Sequence, residues 1–252
     1  MMPRHHLDAA TLVSHAAGAL SPAMAAVAST HLEGCAHCRS QLAQAEHVGG
    51  LLLLQQQPAA VSPRAAALRS DILARLQQPV PAPAEPAPLP AHPPTDALPR
   101  ALQPYFGKSW KALRWRWVAP GVHMIRAPQS AGDTLVLLKI APGKSMPLHS
   151  HQGSELTQVL RGAYDDALGH FGPGDMADLD SEIEHQPIVS PGVPCICVAA
   201  LDAADGRPVT GRPANRNGPP GSSRRAVCVC DAEAWLSAGG AATGTRGAAP
   251  GR

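Results

Sequence analysis

The fold of the second half of this chain is decided by one stretch of sequence, Gly143-Lys-Ser-Met-Pro-Leu-His149-Ser-His151-Gln-Gly-Ser-Glu155-Leu-Thr-Gln-Val-Leu-Arg-Gly162. Side chains alternate across a β-strand, so His149 and His151 are expected on the same face of a sheet. Glu155 follows within one further turn of chain, and His185 is expected to return on a later strand. Imidazoles and a carboxylate together bind divalent metals such as zinc, iron, nickel or manganese. The stretch therefore predicts a metal site built on β-structure.

Signals for β-strands extend on both sides of this stretch, from about residue 105 to residue 202. Short apolar runs are separated by glycine and proline turns roughly every ten residues, which is typical of an antiparallel sandwich or barrel. The clearest runs are Thr134–Ile140, Leu156–Leu160 and Cys195–Leu201. Residues 105–202 are therefore expected to form an all-β domain.

The first 78 residues are instead rich in alanine, leucine and glutamine, and their punctuation is typical of helices. Serine followed by proline supplies an N-cap and a favourable first helical residue at Ser21-Pro22 and again at Ser62-Pro63. Glycine provides a C-terminal stop at Gly18 and Gly34. Residues 1–78 are therefore expected to form an all-α domain of four helices. These helices are expected to end near Gly18, Leu32, Gln55 and Gln78.

Two segments lack any periodic pattern. Residues 79–104 contain a dense run of prolines, which removes amide donors and favours extended polyproline, so a semi-rigid spacer is expected there. Residues 203–252 are rich in glycine, proline, alanine and arginine and are expected to be a disordered tail. The chain is thus expected to contain one helical and one β domain, joined by the spacer.

Composition excludes several classes of partner. The formal net charge is +2, which does not indicate a nucleic-acid-binding protein, and the alternating Trp and Arg of residues 108–117 are also typical of a half-buried strand. No stretch approaches the roughly 20 apolar residues of a membrane span, and no signal-peptide core follows the first residues. A cytoplasmic location is therefore expected, where cysteines stay reduced and serve as metal ligands or redox sensors.

The helical domain contains a second candidate metal site, His31-x-x-x-Cys35-x-x-Cys38. The two-residue gap lets both thiolates reach one tetrahedral ion, and Gly34 is expected to end a helix so that the ligands lie across a helix junction. Zinc needs a fourth ligand, for which His5 or His6 is available. In a helical unit this small, the metal would stabilise the fold itself. The alternatives are a redox Cys-x-x-Cys pair and a chance arrangement.

These residues resemble a known family. Arg4-His5-His6 followed by His31-Leu-Glu-Gly-Cys35-Ala-His-Cys38 is similar to the zinc-binding anti-sigma domain, and specifically to ChrR-type anti-sigma factors. The resemblance implies that His6, rather than His5, completes a structural zinc site. It also implies that the helices insert between the two conserved domains of an extracytoplasmic-function sigma factor and cover its surface for core RNA polymerase. Such a protein is not an enzyme.

In ChrR-type proteins the helical domain is followed by a cupin, a double-stranded β-helix or jelly roll. The stretch Gly143–Gly162 resembles the first cupin motif throughout, whereas the second motif is only partly present. Phe171-Gly-Pro-Gly-Asp175 supplies its turn, but the gap to His185 is long and Val189 stands in place of an asparagine. The resemblance implies that zinc or another divalent metal is held by four residues, His149, His151, Glu155 and His185. It also implies singlet oxygen or organic peroxides as the signal.

Cys195 and Cys197 lie two residues apart on an expected strand and therefore share a face. They are either small buried hydrophobic residues or a pair whose oxidation transmits the signal. Two other functions are compatible with the sequence. One is a metal-dependent cupin dioxygenase-type enzyme with a helical appendage, and the other is an interaction protein in which both metals are structural.

Overall fold

The computed structural model describes residues 2–57, 62–78, 96–128, 133–149 and 153–201. We call residues 2–78 the helical half and residues 96–201 the β half. The expected disordered tail and residues 79–95 of the expected spacer lie outside the described residues. Within the described ranges, every helix is too short or too polar to cross a membrane.

The helical half contains the four expected helices. They are α1 (Ala9–Ala16), α2 (Pro22–Gly34), α3 (Ala36–Leu54) and α4 (Pro63–Leu76). Both Ser-Pro signals are confirmed as helix starts, because the hydroxyl oxygens of Ser21 and Ser62 accept hydrogen bonds from the amides three residues later. Helix α2 continues two residues beyond the expected end, through Gly34 itself, and Cys35 then separates it from α3.

The spacer expected over residues 79–104 is wrong for residues 96–104, which fold with the β half: Arg100–Leu102 forms a 3-10 turn, and Leu98 and Leu102 are buried. A short helix, α5 (Gln103–Phe106), follows, and then nine strands among the described residues. The strands are β1 (Arg116–Ala119), β2 (Val122–Arg126), β3 (Thr134–Ile140), β4 (Glu155–Arg161), β5 (Tyr164–Asp166), β6 (Gly169–Phe171), β7 (Met176–Leu179), β8 (Ile188–Val189) and β9 (Cys195–Leu201). The expected strands at β3 and β9 are confirmed to the residue, and β4 is one residue longer at each end than expected.

The Trp/Arg-rich stretch is strand only at its end. Trp110–Ala112 forms a 3-10 turn that the Ser109 hydroxyl caps, so a strand over all of residues 108–117 is wrong. The Arg161 guanidinium lies over the Trp110 ring, 4.1 Å from its centroid. Tertiary contact therefore places this tryptophan against the end of β4 instead of within a strand.

The strands form two antiparallel sheets, as expected for a jelly roll. One has six strands in the order β1-β2-β3-β9-β4-β7, and the other has three in the order β6-β5-β8. Alternate residues of the long strands point between the sheets: Val136 and Leu138 of β3 and Cys197 of β9 join Tyr164 and Phe171 of the small sheet in one apolar core. The interior of the β half is therefore a sandwich core.

The outer face of the six-stranded sheet is covered by the helical half. Val27 of α2 is 0% exposed, as are Leu137 of β3, Leu156 of β4 and Val198 of β9, and all four belong to a second apolar cluster. Both faces of the central strands are thus buried, which explains why their sequences are apolar without alternation. The two halves share a hydrophobic interface that is independent of the spacer.

We predict that substitution of glycine by alanine affects stability very differently at different positions of this fold. Gly162 has a φ of +71°, and an added Cβ would lie 2.5 Å from the Pro194 carbonyl oxygen. The substitution Gly162→Ala should lower the free energy of unfolding by about 2 kcal/mol or more, since left-handed strain and a backbone clash combine. Urea unfolding followed by tryptophan fluorescence measures this. The control Gly49→Ala, in a helix with open space around it, should be neutral or slightly stabilising.

Candidate metal centres

The first cluster lies where the amino-terminal segment meets the junction of α2 and α3. His31 is in the last turn of α2, Cys35 is the junction residue, and Cys38 is in the first turn of α3. His6 precedes α1. One potential ligand atom from each of these four residues lies within 4.8 Å of the others. The sequence-predicted tetrad is therefore brought together, two thiol sulfurs and two imidazole nitrogens around one point.

Hydrogen bonds select which nitrogen of each imidazole faces this point. Nδ1 of His31 lies 3.0 Å from the carbonyl oxygen of Gly174 in the β half. Because a carbonyl only accepts, Nδ1 holds the proton, and the unprotonated Nε2, 3.3 Å from Cys38 Sγ, faces the cluster. His6 presents Nδ1, which lies 3.3 Å from Cys35 Sγ.

The structure distinguishes His6 from its neighbour. His5 points the other way: its ring stacks on Phe171 with centroids 4.1 Å apart, and its Nε2 lies 3.2 Å from the His170 carbonyl oxygen. His37, between the two cysteines, is exposed and outside the cluster, with its ring beside that of His6. Adjacent residues on an extended segment face opposite sides, and the sheet contact decides which one faces inward.

Burial sets the protonation of the cluster. It lowers the pKa of His31 below its ordinary value, so this imidazole is neutral near pH 7 and has a lone pair for a metal. Burial also raises the pKa of the Cys38 thiol to about 11. A metal that binds here must therefore displace the Cys38 proton, so its apparent affinity increases with pH.

The second cluster lies between the two sheets of the β half. His149, Glu155 and His185 are buried, and their ligand atoms lie within 4.8 Å of one another. Backbone hydrogen bonds in both directions join His149 to His185, at 3.1 and 3.0 Å, and Glu155 is the first residue of β4. The fourth expected ligand, His151, lies outside the described residues, as does the expected strand linking it to His149.

Each described member of this cluster is oriented by a neighbour. Nδ1 of His149 lies 2.8 Å from the Pro147 carbonyl oxygen, which directs Nε2 to the cluster. The Thr157 hydroxyl donates to Glu155 Oε1 at 2.7 Å. His185 lies between two carboxylates, with Nε2 3.7 Å from Glu155 Oε2 and Nδ1 3.5 Å from Asp166 Oδ2.

Asp166 is the residue beside this cluster that the sequence analysis missed. Its side chain is 0% exposed, although carboxylates are seldom buried without a partner or a role. A carboxylate behind the outer nitrogen of a metal-binding histidine is a recurring arrangement that orients the ring and increases its basicity. The available signal was alternation, because Asp166 is two residues beyond the buried Tyr164 and so shares its inward face.

Cys195 and Cys197 lie in the sandwich core, 1% and 4% exposed, and share one face of β9 as the sequence predicted. A hydrogen bond with Cys195 and burial together raise the pKa of the Cys197 thiol well above its ordinary value. Because the thiolate is the reactive form, this environment favours the interpretation as buried hydrophobic residues. A redox role for the pair stays a prediction.

Fold and clusters together define a class of protein: a helical domain with a His2Cys2 cluster, packed on a cupin with a His/Glu cluster. Comparisons with known proteins identify the family. Residues 106–205 match the family described as ChrR Cupin-like domain. The anti-sigma-E factor ChrR of Cereibacter sphaeroides is 37% identical over 203 residues, which are 81% of this chain and 92% of that protein.

A solved structure agrees with this. The crystal structure of Rhodobacter sphaeroides SigE in complex with the anti-sigma ChrR contains a chain that is 36% identical, with a TM-score of 0.64. The match covers 79% of this chain and 100% of that one. The chain belongs to the ChrR family of anti-sigma factors, which confirms the fold class and the family expected from the sequence.

We predict that Asp166 supports metal binding in the β half. The substitution Asp166→Asn removes the charge behind His185 and should weaken metal binding there about 10- to 100-fold. Cobalt(II) is the probe, and the cobalt that binds without thiolate-to-metal absorption is the cobalt in this centre, which has no cysteine among its expected ligands. Competition with a chelator measures the affinity of this centre for cobalt. The matched control is Asp165→Asn, at the adjacent and largely exposed position. Equal affinities of the two variants would show that Asp166 does not act on the centre.

Proposed function

We propose that this protein inhibits an extracytoplasmic-function sigma factor by binding it through the helical half, and that its cupin half releases this inhibition in response to oxidative stress. The observation that supports this most strongly is the His6, His31, Cys35 and Cys38 cluster, which joins three segments of a helical domain in a chain of the ChrR family. The relative of known structure is in complex with SigE. A cytoplasmic location follows from this role.

We assign zinc to the first cluster, in a structural role. Two sulfurs and two nitrogens are a typical zinc donor set, and four protein ligands leave no position for a substrate. The ligands come from the amino-terminal segment, α2 and α3, so a bound ion holds these three segments together. The helical half is small, and a metal is a common source of stability in such domains.

Helices α3 and α4 supply the surface that we propose for the sigma factor. Among the residues of α4, none is buried, and only Cys38 is buried in α3. Leu68, Ile72 and Leu76 recur every four residues along α4 and are 53%, 57% and 75% exposed. Leu53 and Leu54 at the end of α3 are 68% and 83% exposed. Large exposed apolar patches in soluble proteins mark interfaces with other proteins.

The β half is the proposed sensor. His149, Glu155 and His185, together with His151, would hold zinc or another divalent metal, and Asp166 would orient His185. Oxidative damage or metal loss there would alter the sheet on which α2 packs. Singlet oxygen and organic peroxides are the proposed signals, from the family resemblance.

The alternative is a cupin dioxygenase-type enzyme with a helical appendage. A centre of three histidines and one glutamate also suits non-haem iron chemistry. This alternative gives no role to the first cluster or to the exposed apolar faces of α3 and α4. We therefore propose that the protein has no enzymatic activity; oxygen uptake by the iron-loaded protein with small diketones or thiols would favour the enzyme.

We predict that α4 is needed for sigma binding. The substitution Leu76→Glu should weaken the complex with the cognate sigma factor about tenfold or more, since burying a carboxylate in an apolar interface costs more than about 1.4 kcal/mol. Co-purification and inhibition of transcription in vitro measure this. Val193→Glu is the control, at a 62% exposed apolar position of the β half. If both variants bind like the wild type, α4 is not part of the interface.

We further predict that a substitution in the cupin half abolishes the response to stress without abolishing inhibition of the sigma factor. The substitution His149→Ala removes a cupin ligand and should abolish induction of the sigma-dependent genes by peroxide or singlet oxygen, while inhibition without stress persists. A reporter gene measures both states. His170→Ala, an exposed cupin histidine outside the cluster, should respond normally. Normal induction in His149→Ala would favour a purely structural role for both metals.

A further inference from the structure

The turn Phe171–Asp175, between β6 and β7, is the point at which the β half reaches the first metal cluster. The Asp175 carboxylate is buried there and accepts three backbone N–H groups. Its Oδ1 accepts from Arg4 at 2.5 Å and from His5 at 3.1 Å, and its Oδ2 accepts from Gly172 at 2.8 Å. One side chain therefore closes its own turn and holds the amino-terminal segment.

A second contact fixes this segment from the residue that follows the turn, the first residue of β7. The Met176 amide donates to the His5 carbonyl oxygen at 3.3 Å. The N–H and the C=O of His5 are thus both bonded to the β half. His6, the next residue, starts from a backbone position that the β half determines.

The same turn also contacts the second imidazole of the cluster. The Gly174 carbonyl oxygen accepts from Nδ1 of His31 at 3.0 Å. Gly174 has a φ of +94°, and an added Cβ would lie 3.3 Å from Cγ of Pro3, so the amino-terminal segment packs closely against it. Two of the four cluster residues, from separate parts of the helical half, are oriented by one turn of the other half.

The position of the turn is set by the sheet that contains the second cluster. The Val159 amide donates to the Asp175 carbonyl oxygen at 3.0 Å, and the Gly174 amide donates to the Val159 carbonyl oxygen at 2.8 Å. Val159 lies on β4, which begins at Glu155 and pairs with β7 through its first four residues, Glu155 to Gln158. The turn and Glu155 are therefore parts of one hydrogen-bonded pair of strands.

We propose that Asp175 is a positioning residue of the first metal centre, and that the turn Phe171–Asp175 forms that centre's outer shell. The proposal rests on the metal centre of the proposed function. Outer-shell partners fix the orientation of ligands, and their loss typically weakens metal binding about 10- to 100-fold. The β half accordingly determines how firmly the helical half holds its metal, through contacts that bypass residues 79–95.

The test uses the full chain with Asp175→Asn and cobalt(II) as the probe. An asparagine has one acceptor oxygen, so its NH2 group must face either the Arg4 and His5 donors or the Gly172 donor. The hydrogen bonds on that side are lost. Thiolate-to-cobalt absorption reports only the centre that contains Cys35 and Cys38. We expect cobalt affinity at this centre, from chelator competition, to fall about 10- to 100-fold, with faster release.

The matched control is Asp133→Asn. Asp133 also joins the two halves, since its Oδ2 accepts from the Ala23 amide at 3.3 Å, at the opposite end of α2 from His31. The substitution Asp133→Asn removes the same negative charge as Asp175→Asn. The asparagine oxygen can still accept from the single Ala23 donor, so cobalt affinity at the first centre should be unchanged. A general weakening of the interface would instead affect both variants equally and would overturn the positioning role.

A second variant guards against loss of folding. Amide exchange in β4 and β9 shows whether Asp175→Asn keeps the sandwich. If it does not, Arg4→Pro, which removes the Arg4 N–H donor without changing the β half, decides by the same cobalt measurement. Wild-type affinity in a folded variant overturns this inference alone. Absence of thiolate absorption in the wild-type protein with cobalt overturns the first metal centre and the proposed function with it.

Discussion

Packing of α2 against the outer face of the six-stranded sheet is the contact on which the rest of the structure depends. The central strands are apolar on both faces, and each face must be covered. The three-stranded sheet covers one, and α2 with the amino-terminal segment covers the other. Because His31 lies in the last turn of α2, the packing that buries Val27 also brings this imidazole to the Gly174 carbonyl.

Both clusters orient imidazoles in the same way. A backbone carbonyl accepts from Nδ1 of His31 and another from Nδ1 of His149, so Nε2 is directed to the cluster in each. The carbonyl that serves His149 is two residues away in sequence, whereas the one that serves His31 belongs to the other half of the chain. The geometry of the first cluster thus depends on the packing of the two halves against each other, whereas the described residues of the second cluster all belong to the β half.

The helices divide into two groups by burial. Helix α2 has eight buried residues, whereas α3 has one and α4 has none. Isolated helices of this length gain little stability without tertiary packing. The apolar stripe of α4 and the leucines at the end of α3 are consistent with a surface completed by a partner protein. The His/Cys cluster at the start of α3 lies where that surface joins the rest of the molecule.

Local chemistry was readable from the sequence. The Ser-Pro caps located two helix starts, the spacing of His31, Cys35 and Cys38 indicated a shared ion, and apolar runs located β3 and β9, because each of these patterns acts over a few residues. Local patterns did not determine three other features. These are the choice between His5 and His6, the position of Asp166 beside His185, and the contact between the two halves. Arg4 and Asp175 are separated by 171 residues. No local pattern encodes such a pair; only the burial of both sheet faces brings them together.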